Sequence, residues 1–242
     1  MGEKSYNYTI IDTSLIQNDI HTFLEQFAAF INIPSIVLQP YKNEFIVRQY
    51  NKGQVIYYSS DELTHIYFLI DGYIVREHYN IHGDLYRVIN KDQQLYPLHN
   101  LFQDKVTHEI CSALTDCIVM TIPIDLIEYL CKNHHKVFIQ LFKYLCESEQ
   151  QLTEYNMALT AKHAKSRVIK VLIYLCHTIG DDHDEFYEIK PFLTIQMVSD
   201  LASVSRETTG HIINALKAEN LLVKNKKNWL FSKVLVDQHE DD

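Results

Sequence analysis

Between Phe45 and Ile122 the chain falls into seven short runs rich in Val, Ile, Tyr and Phe: FIVRQY, VIYY, HIYFLI, YIVREHY, LYRVI, ICSAL and CIVMTI. Lys52-Gly53, Asp71-Gly72 and His82-Gly83-Asp84 stand between them. β-Branched and aromatic side chains fit a pleated, half-buried surface. Short strands with turn residues between them predict an antiparallel sandwich or barrel. Gly72 and Gly83 are expected to take positive φ at their turns. This region is about a third of the 242 residues, so the chain is long enough to build a second core.

Helical periodicity flanks the strands. Leu15, Ile16, Ile20, Phe23, Leu24, Phe27 and Ile31 form one apolar face, and Pro34 and Pro40 end the pattern. A long helix is expected over His134 to Thr160. Within it Phe138, Leu141, Leu145, Ser148, Leu152, Tyr155 and Leu159 alternate spacings of three and four, the pattern of a two-helix seam. We expect this seam to hold a homodimer, with Ser148 helping to fix register. The alternative is that the helix packs on its own domain.

The last third reads as helix, helix, break, helix and hairpin, the order of a winged helix-turn-helix. Ala164 to Leu175 form the first helix and FYEI a short strand. Thr194 is a plausible N-cap for IQMVSDLA. A break at Ser203-Val204 leads into a helix from Arg206 to about Asn220, and LLVKNKKNWLFS makes two strands around a basic turn. The expected organisation is a helical extension over 1–40, a β roll over 41–133, a dimerisation helix over 134–160, a winged helix-turn-helix over 161–234 and an acidic tail over 235–242. The fold class is α+β.

Charge follows this division. The formal net charge is −9, yet residues 161–233 carry 11 basic and 8 acidic side chains, whereas residues 1–160 carry 11 and 19. A phosphate backbone would be met in the C-terminal third if anywhere. At about 100° per residue, Arg206, Glu207, Gly210, His211, Asn214 and Lys217 share one side of their helix. Thr208, Thr209, Ile212, Ile213, Ala215 and Leu216 fill the other. The polar side brings a guanidinium, a carboxylate and an imidazole to the helix N-terminus. Arginine can donate twice to guanine O6 and N7, and a carboxylate can accept from cytosine N4. Gly210 leaves room for DNA or for the preceding helix. Ser205, Thr208 and Thr194 are candidates for backbone contacts, with Lys224, Lys226 and Lys227 of the wing. The plainer reading is a capped surface helix, with Ser205 as N-cap and Glu207 near the positive helix end.

Other chemistry is thinly represented. Five cysteines at wide gaps make no CxxC pair, which argues against a structural zinc site and for core thiols. His177, Asp181, Asp182, His183, Asp184 and Glu185 are metal-ligating types, but the simpler reading is a solvated loop. There is no GxSxG, P-loop or HExxH, so an enzyme is not supported. The N-terminus lacks a signal-peptide layout, and no apolar run reaches membrane-spanning length. A cytoplasmic protein is expected.

The segments "YNKGQVIYYSSDELTHIYFLIDGYIVREHYNIHGDLYRVI" and "LTIQMVSDLASVSRETTGHIINALKAENLL" resemble the Crp/Fnr family of bacterial transcription regulators over nearly the whole chain. The run Ser205 to Gly210 is its most specific part. "EFYEIKPFLTIQ" and "NMALTAKHAK" look most like the family's arginine deiminase pathway regulators of Gram-positive bacteria. The resemblance implies a cyclic-nucleotide-binding-like jelly roll and a homodimer that activates anaerobic arginine catabolism. It implies a TGTGA-like palindrome and contact between the 181–185 loop region and RNA polymerase. Arg206 and Glu207 match the family's base-reading arginine and glutamate, while His211 stands where a second arginine reads a base. The glutamate, arginine and serine that hold cyclic AMP in responsive members align with Leu98, Thr107 and His108. A typical cyclic AMP pocket is therefore not expected, although His108 leaves nucleotide binding open. No cysteine precedes Cys111, so an iron–sulfur cluster is not expected and no cofactor is required. The rival reading is a ligand-binding signalling protein that acts through protein partners.

Overall fold

A computed structural model describes residues 13–58, 61–79, 85–103, 109–190, 192–224 and 228–238. Gly83, Thr107, His108, Lys226 and Lys227 lie outside them, as do residues 239–242 of the acidic tail.

Among the described residues, eight antiparallel strands follow the helix α1 (Thr13–Phe30): β1 (Ile46–Tyr50), β2 (Val55–Tyr57), β3 (His65–Asp71), β4 (Tyr73–Tyr79), β5 (Leu85–Lys91), β6 (Gln94–Tyr96), β7 (Glu109–Ala113) and β8 (Cys117–Pro123). They form two sheets, in the orders β1-β8-β3-β6 and β2-β7-β4-β5. Strands that alternate between facing sheets in this way make the expected jelly roll. Residues from both sheets, including Tyr57, Leu69, Ile74, Tyr96, Cys111 and Val119, pack between them. Gly72 has φ +104°, and a Cβ there would lie 2.6 Å from the Asp116 carbonyl oxygen, so the β3–β4 turn admits glycine alone. The three-residue strand β6 was not foreseen, because so short a run carries no periodicity.

Two helices cover the outer face of the first sheet. Phe27 of α1 meets Phe68 of β3 edge-on at 5.3 Å. Helix α2 (Ile124–Asn133), absent from the sequence reading, buries Ile124, Ile127 and Leu130 in the same cluster. Helix α3 (His135–Leu159) then runs from this cluster to the C-terminal core.

Helix α3 divides the expected seam. Phe138, Leu145 and Leu152 are exposed, as are Ile139 and Phe142. Leu141 and Tyr155 are buried within their own chain, and Leu159 packs against the C-terminal core. Ser148 turns back, its hydroxyl donating to the Tyr144 carbonyl at 2.8 Å. The reason is the helical period. Position 141 lies about 60° to one side of 138 and position 142 about 40° to the other. The first row covers the chain's own core, which leaves Phe142 and not Leu141 beside Phe138, their rings 6.4 Å apart.

The C-terminal part contains α4 (Ala164–Ile179), β9 (Asp181–Asp182), β10 (Phe186–Ile189), α5 (Ile195–Ala202), α6 (Arg206–Ala218), β11 (Leu222–Lys224), β12 (Trp229–Ser232) and a last turn of helix, α7 (Lys233–Asp237). Its sheet is ordered β11-β12-β10-β9. Trp229, Phe231, Ile213 and Leu172 are fully or almost fully buried at its centre. Part of the acidic segment read as a loop is therefore an edge strand: Asp182 pairs with Tyr187, and its carboxylate lies 2.6 Å from Lys233 Nζ.

This core does not stop at the roll. Tyr73, Val75 and Ile89, on the outer face of β4 and β5, belong to the same buried cluster as α4 and α5. Tyr73 meets Phe192 with the rings tilted and their centroids 4.5 Å apart, and Tyr155 donates to the Leu201 carbonyl at 2.8 Å.

Candidate DNA interface

The helix-turn-helix is built from local capping. Thr194 caps α5, its hydroxyl accepting from the Met197 amide at 3.1 Å. Ser203 ends that helix in the left-handed region, at φ 50°, and the Val204 amide returns to the Ser199 carbonyl at 3.1 Å. Ser205 then caps α6, accepting from the Thr208 amide at 3.2 Å. Both expected N-caps and the break between them stand at the predicted residues.

The exposed face of α6 holds Arg206, Glu207, His211 and Asn214, with Lys217 half-buried at its end. Glu207 and His211 face each other one turn apart, Oε1 to Nε2 3.9 Å. Thr209, Ile212, Ile213 and Leu216 are buried. Thr208 and Ala215, placed on the inner side by the helical angles, are exposed. The buried arc is narrower than expected, about 100° wide, because α5 and the sheet meet only one edge of α6. Thr208 thereby joins Thr194 and Ser205 on the accessible surface.

Of the wing lysines, Lys224 is described. Its ammonium sits 4.2 Å over the Trp229 ring. Burial, and then the charge of Lys217, both lower its pKa. Lys217 and Lys224 thus place two cations side by side at the far end of α6. The helical angles put Lys217 on the outer face, but only the return of β11 beside α6 brings it next to Lys224.

The interior of the roll holds a polar cluster that the sequence reading missed. Glu109 of β7 is fully buried, and its carboxylate receives Arg76 Nη1 at 3.2 Å and His78 Nε2 at 2.9 Å. The Tyr57 hydroxyl also donates to it. Burial pushes this carboxyl up, but the His78 hydrogen bond, the Arg76 charge and the Tyr57 hydrogen bond outweigh it and hold the pKa at about 2. Arg76 Nε donates to Asn90 Oδ1 at 3.0 Å. A signal was present: Ile74, Arg76 and His78 alternate with Tyr73, Val75 and Glu77, so period two puts cations on the inner face. Leu98, at the other expected effector position, packs against the helix-covered face of the first sheet.

A salt-bridged relay joins roll and reading head. Arg87 of β5 binds Glu77 through Nε at 2.6 Å and reaches Asp200 of α5 through Nη1. Lys91 donates to the Gly180 carbonyl at 3.0 Å.

Among the described residues, the 181–185 segment included, no group of three or more His, Cys, Asp or Glu is placed to hold an ion. His183 instead lies 3.4 Å from Glu188 and stacks on Phe186. No described helix is long and apolar enough to cross a membrane.

No protein-family model matches the chain. It is 60% identical over 219 residues to the HTH-type transcriptional regulator ArcR of Staphylococcus epidermidis RP62A, covering 90% of this chain and 96% of that one. Against the HTH-type transcriptional regulator ArcR of Staphylococcus aureus JH1 it is 56% identical over 218 residues, 90% and 93% of the two chains. Among solved structures, FixK2 from Bradyrhizobium japonicum superposes with a TM-score of 0.69 at 14% identity, over 82% of this chain and 97% of that one. A cyclic nucleotide-binding domain containing protein from Listeria monocytogenes gives 0.68 at 13%, over 90% and 97%. At these identities the structural likeness concerns the fold.

Proposed function

The chain belongs to the Crp/Fnr family of helix-turn-helix transcriptional regulators, in its ArcR group, and from this we propose that it binds a TGTGA-like palindrome as a homodimer and activates arginine deiminase pathway genes. One observation carries the reading. Arg206, Glu207 and His211 stand exposed together on the first two turns of α6, the part of a recognition helix that meets base edges. Lys217 and Lys224 extend the surface toward phosphate, with Thr194, Ser205 and Thr208 at its other end.

The two-fold partner rests on the exposed strip of Phe138, Phe142, Leu145 and Leu152, and two reading helices need half-sites about one helical turn apart. The acidic segment around Asp181, with His183 and Lys233, offers RNA polymerase a polar surface away from α6. His211 is shorter than arginine, so the base pair opposite it is where the operator departs from the family pattern.

The test is an anisotropy titration of the full chain on a TGTGA palindrome and on a scrambled duplex, at stated salt. Preference for the palindrome by a factor of about 1000 or more supports the reading. Equal affinity for both rejects it and favours a signalling protein that acts through protein partners.

A further inference from the structure

The described glycines divide by what explains them. Gly53 and Gly72 have φ +84° and +104°. At Gly180 a Cβ would lie 2.4 Å from the Cys176 carbonyl oxygen. Gly210 has neither reason. It sits inside α6, its φ is not positive, and a Cβ built there would meet nothing within 4 Å.

A glycine in the middle of a helix loses more backbone entropy on folding than alanine would. No contact at the Cβ position compensates for that loss: a Cβ there would touch neither α5 nor any other element within 4 Å. Gly210 lies one turn beyond Arg206 and Glu207, next to His211 and one turn before Asn214, so it sits, itself half-buried, within the polar face that these exposed residues form. A side chain there would stand between the helix backbone and anything the flanking side chains reach.

We infer that Gly210 is a positioning residue for DNA, kept bare so that the α6 backbone approaches the base edges of the major groove closely enough for Arg206, Glu207 and His211 to reach them together. The inference rests on the DNA-reading function proposed above. It assigns the glycine a role that opposes stability: the free protein would be firmer with alanine, and the complex would be weaker.

The experiment compares the full-length wild type with Gly210→Ala, Gly210→Val and the control Ala215→Gly, which places a helical glycine at an exposed position about two and a half turns beyond Arg206, on the opposite side of α6. Each is read by thermal unfolding and by titration on the palindrome and the scrambled duplex. Gly210→Ala is expected to raise Tm by about 2 °C and to weaken palindrome binding about tenfold, with Gly210→Val weaker still. Binding to scrambled DNA should be unchanged in both. Ala215→Gly should lower Tm and leave the palindrome affinity as in wild type. Palindrome binding by Gly210→Ala equal to that of a wild type that does prefer the palindrome overturns the inference alone. A wild type without preference overturns the function and the inference together. A fall in Tm for Gly210→Ala also overturns it, since the glycine would then serve the free fold.

Discussion

Arg87 of β5 reaches across to Asp200 of α5, the helix that precedes the reading helix, while its Nε holds Glu77 on the neighbouring strand. A single guanidinium therefore ties the roll to the DNA-reading head, beside the Lys91–Gly180 hydrogen bond and the buried contacts of Tyr73 and Tyr155. Both partners are about a quarter to a third exposed, so solvent screens much of the attraction. Arg87→Ala and Asp200→Ala are each expected to destabilise modestly, with a coupling of about 1 kcal/mol in a double-mutant cycle read by urea unfolding. A cycle that closes with no coupling would show that those other contacts hold the two together without it.

Glu109 supplies a pH dependence with a definite sign. Its carboxyl has an ordinary value near 4.5 and is held at about 2 in the fold. A depressed carboxyl contributes stability that is fully present above the unfolded value and is lost as pH falls from about 4.5 through about 2. Glu109→Gln leaves the half-buried Arg76 beside a neutral amide and should cost about 2–3 kcal/mol at pH 7. In unfolding midpoints measured from pH 7 to pH 3, the gap between variant and wild type should narrow below about pH 4.5. A constant gap would show that packing, not charge, is what the substitution removes.

The two rows of α3 should respond differently. Leu145→Glu puts a charge on the exposed strip and is expected to give monomers in sedimentation with the subunit still folded. Leu141→Ala removes buried packing and should destabilise the subunit by about 2–4 kcal/mol. If Leu145→Glu sediments as wild type, the strip is not the two-fold contact.

Arg206→Ala and Lys224→Ala separate base reading from phosphate contact. The first should lose about 1–3 kcal/mol on the palindrome and relax preference at one base pair. The second should weaken binding to all sequences alike and reduce the salt slope by about one. Titrations at three salt concentrations on matched and single-mismatch duplexes distinguish them.

Much of this was legible in the residues themselves, for a local reason. Strand runs broken at Gly53 and Gly72, the N-caps Thr194 and Ser205, the break at Ser203 and the outward placement of Arg206, Glu207 and His211 all depend on neighbours within a few positions. A period or a cap specifies such features before any long-range contact forms. Tertiary packing decided the rest. Which apolar row of α3 stays free depends on the two cores that the helix spans, so Leu141 turned inward and Phe142 outward. Arg76, His78 and Glu109 come together only because β4 and β7 pair in the roll, and Arg87 meets Asp200 across 113 positions of sequence. Gly210 shows the division most plainly. Its place on the outer face followed from a 100° step, but the room for a Cβ there, which removes the packing reason for a glycine, exists only in the folded chain.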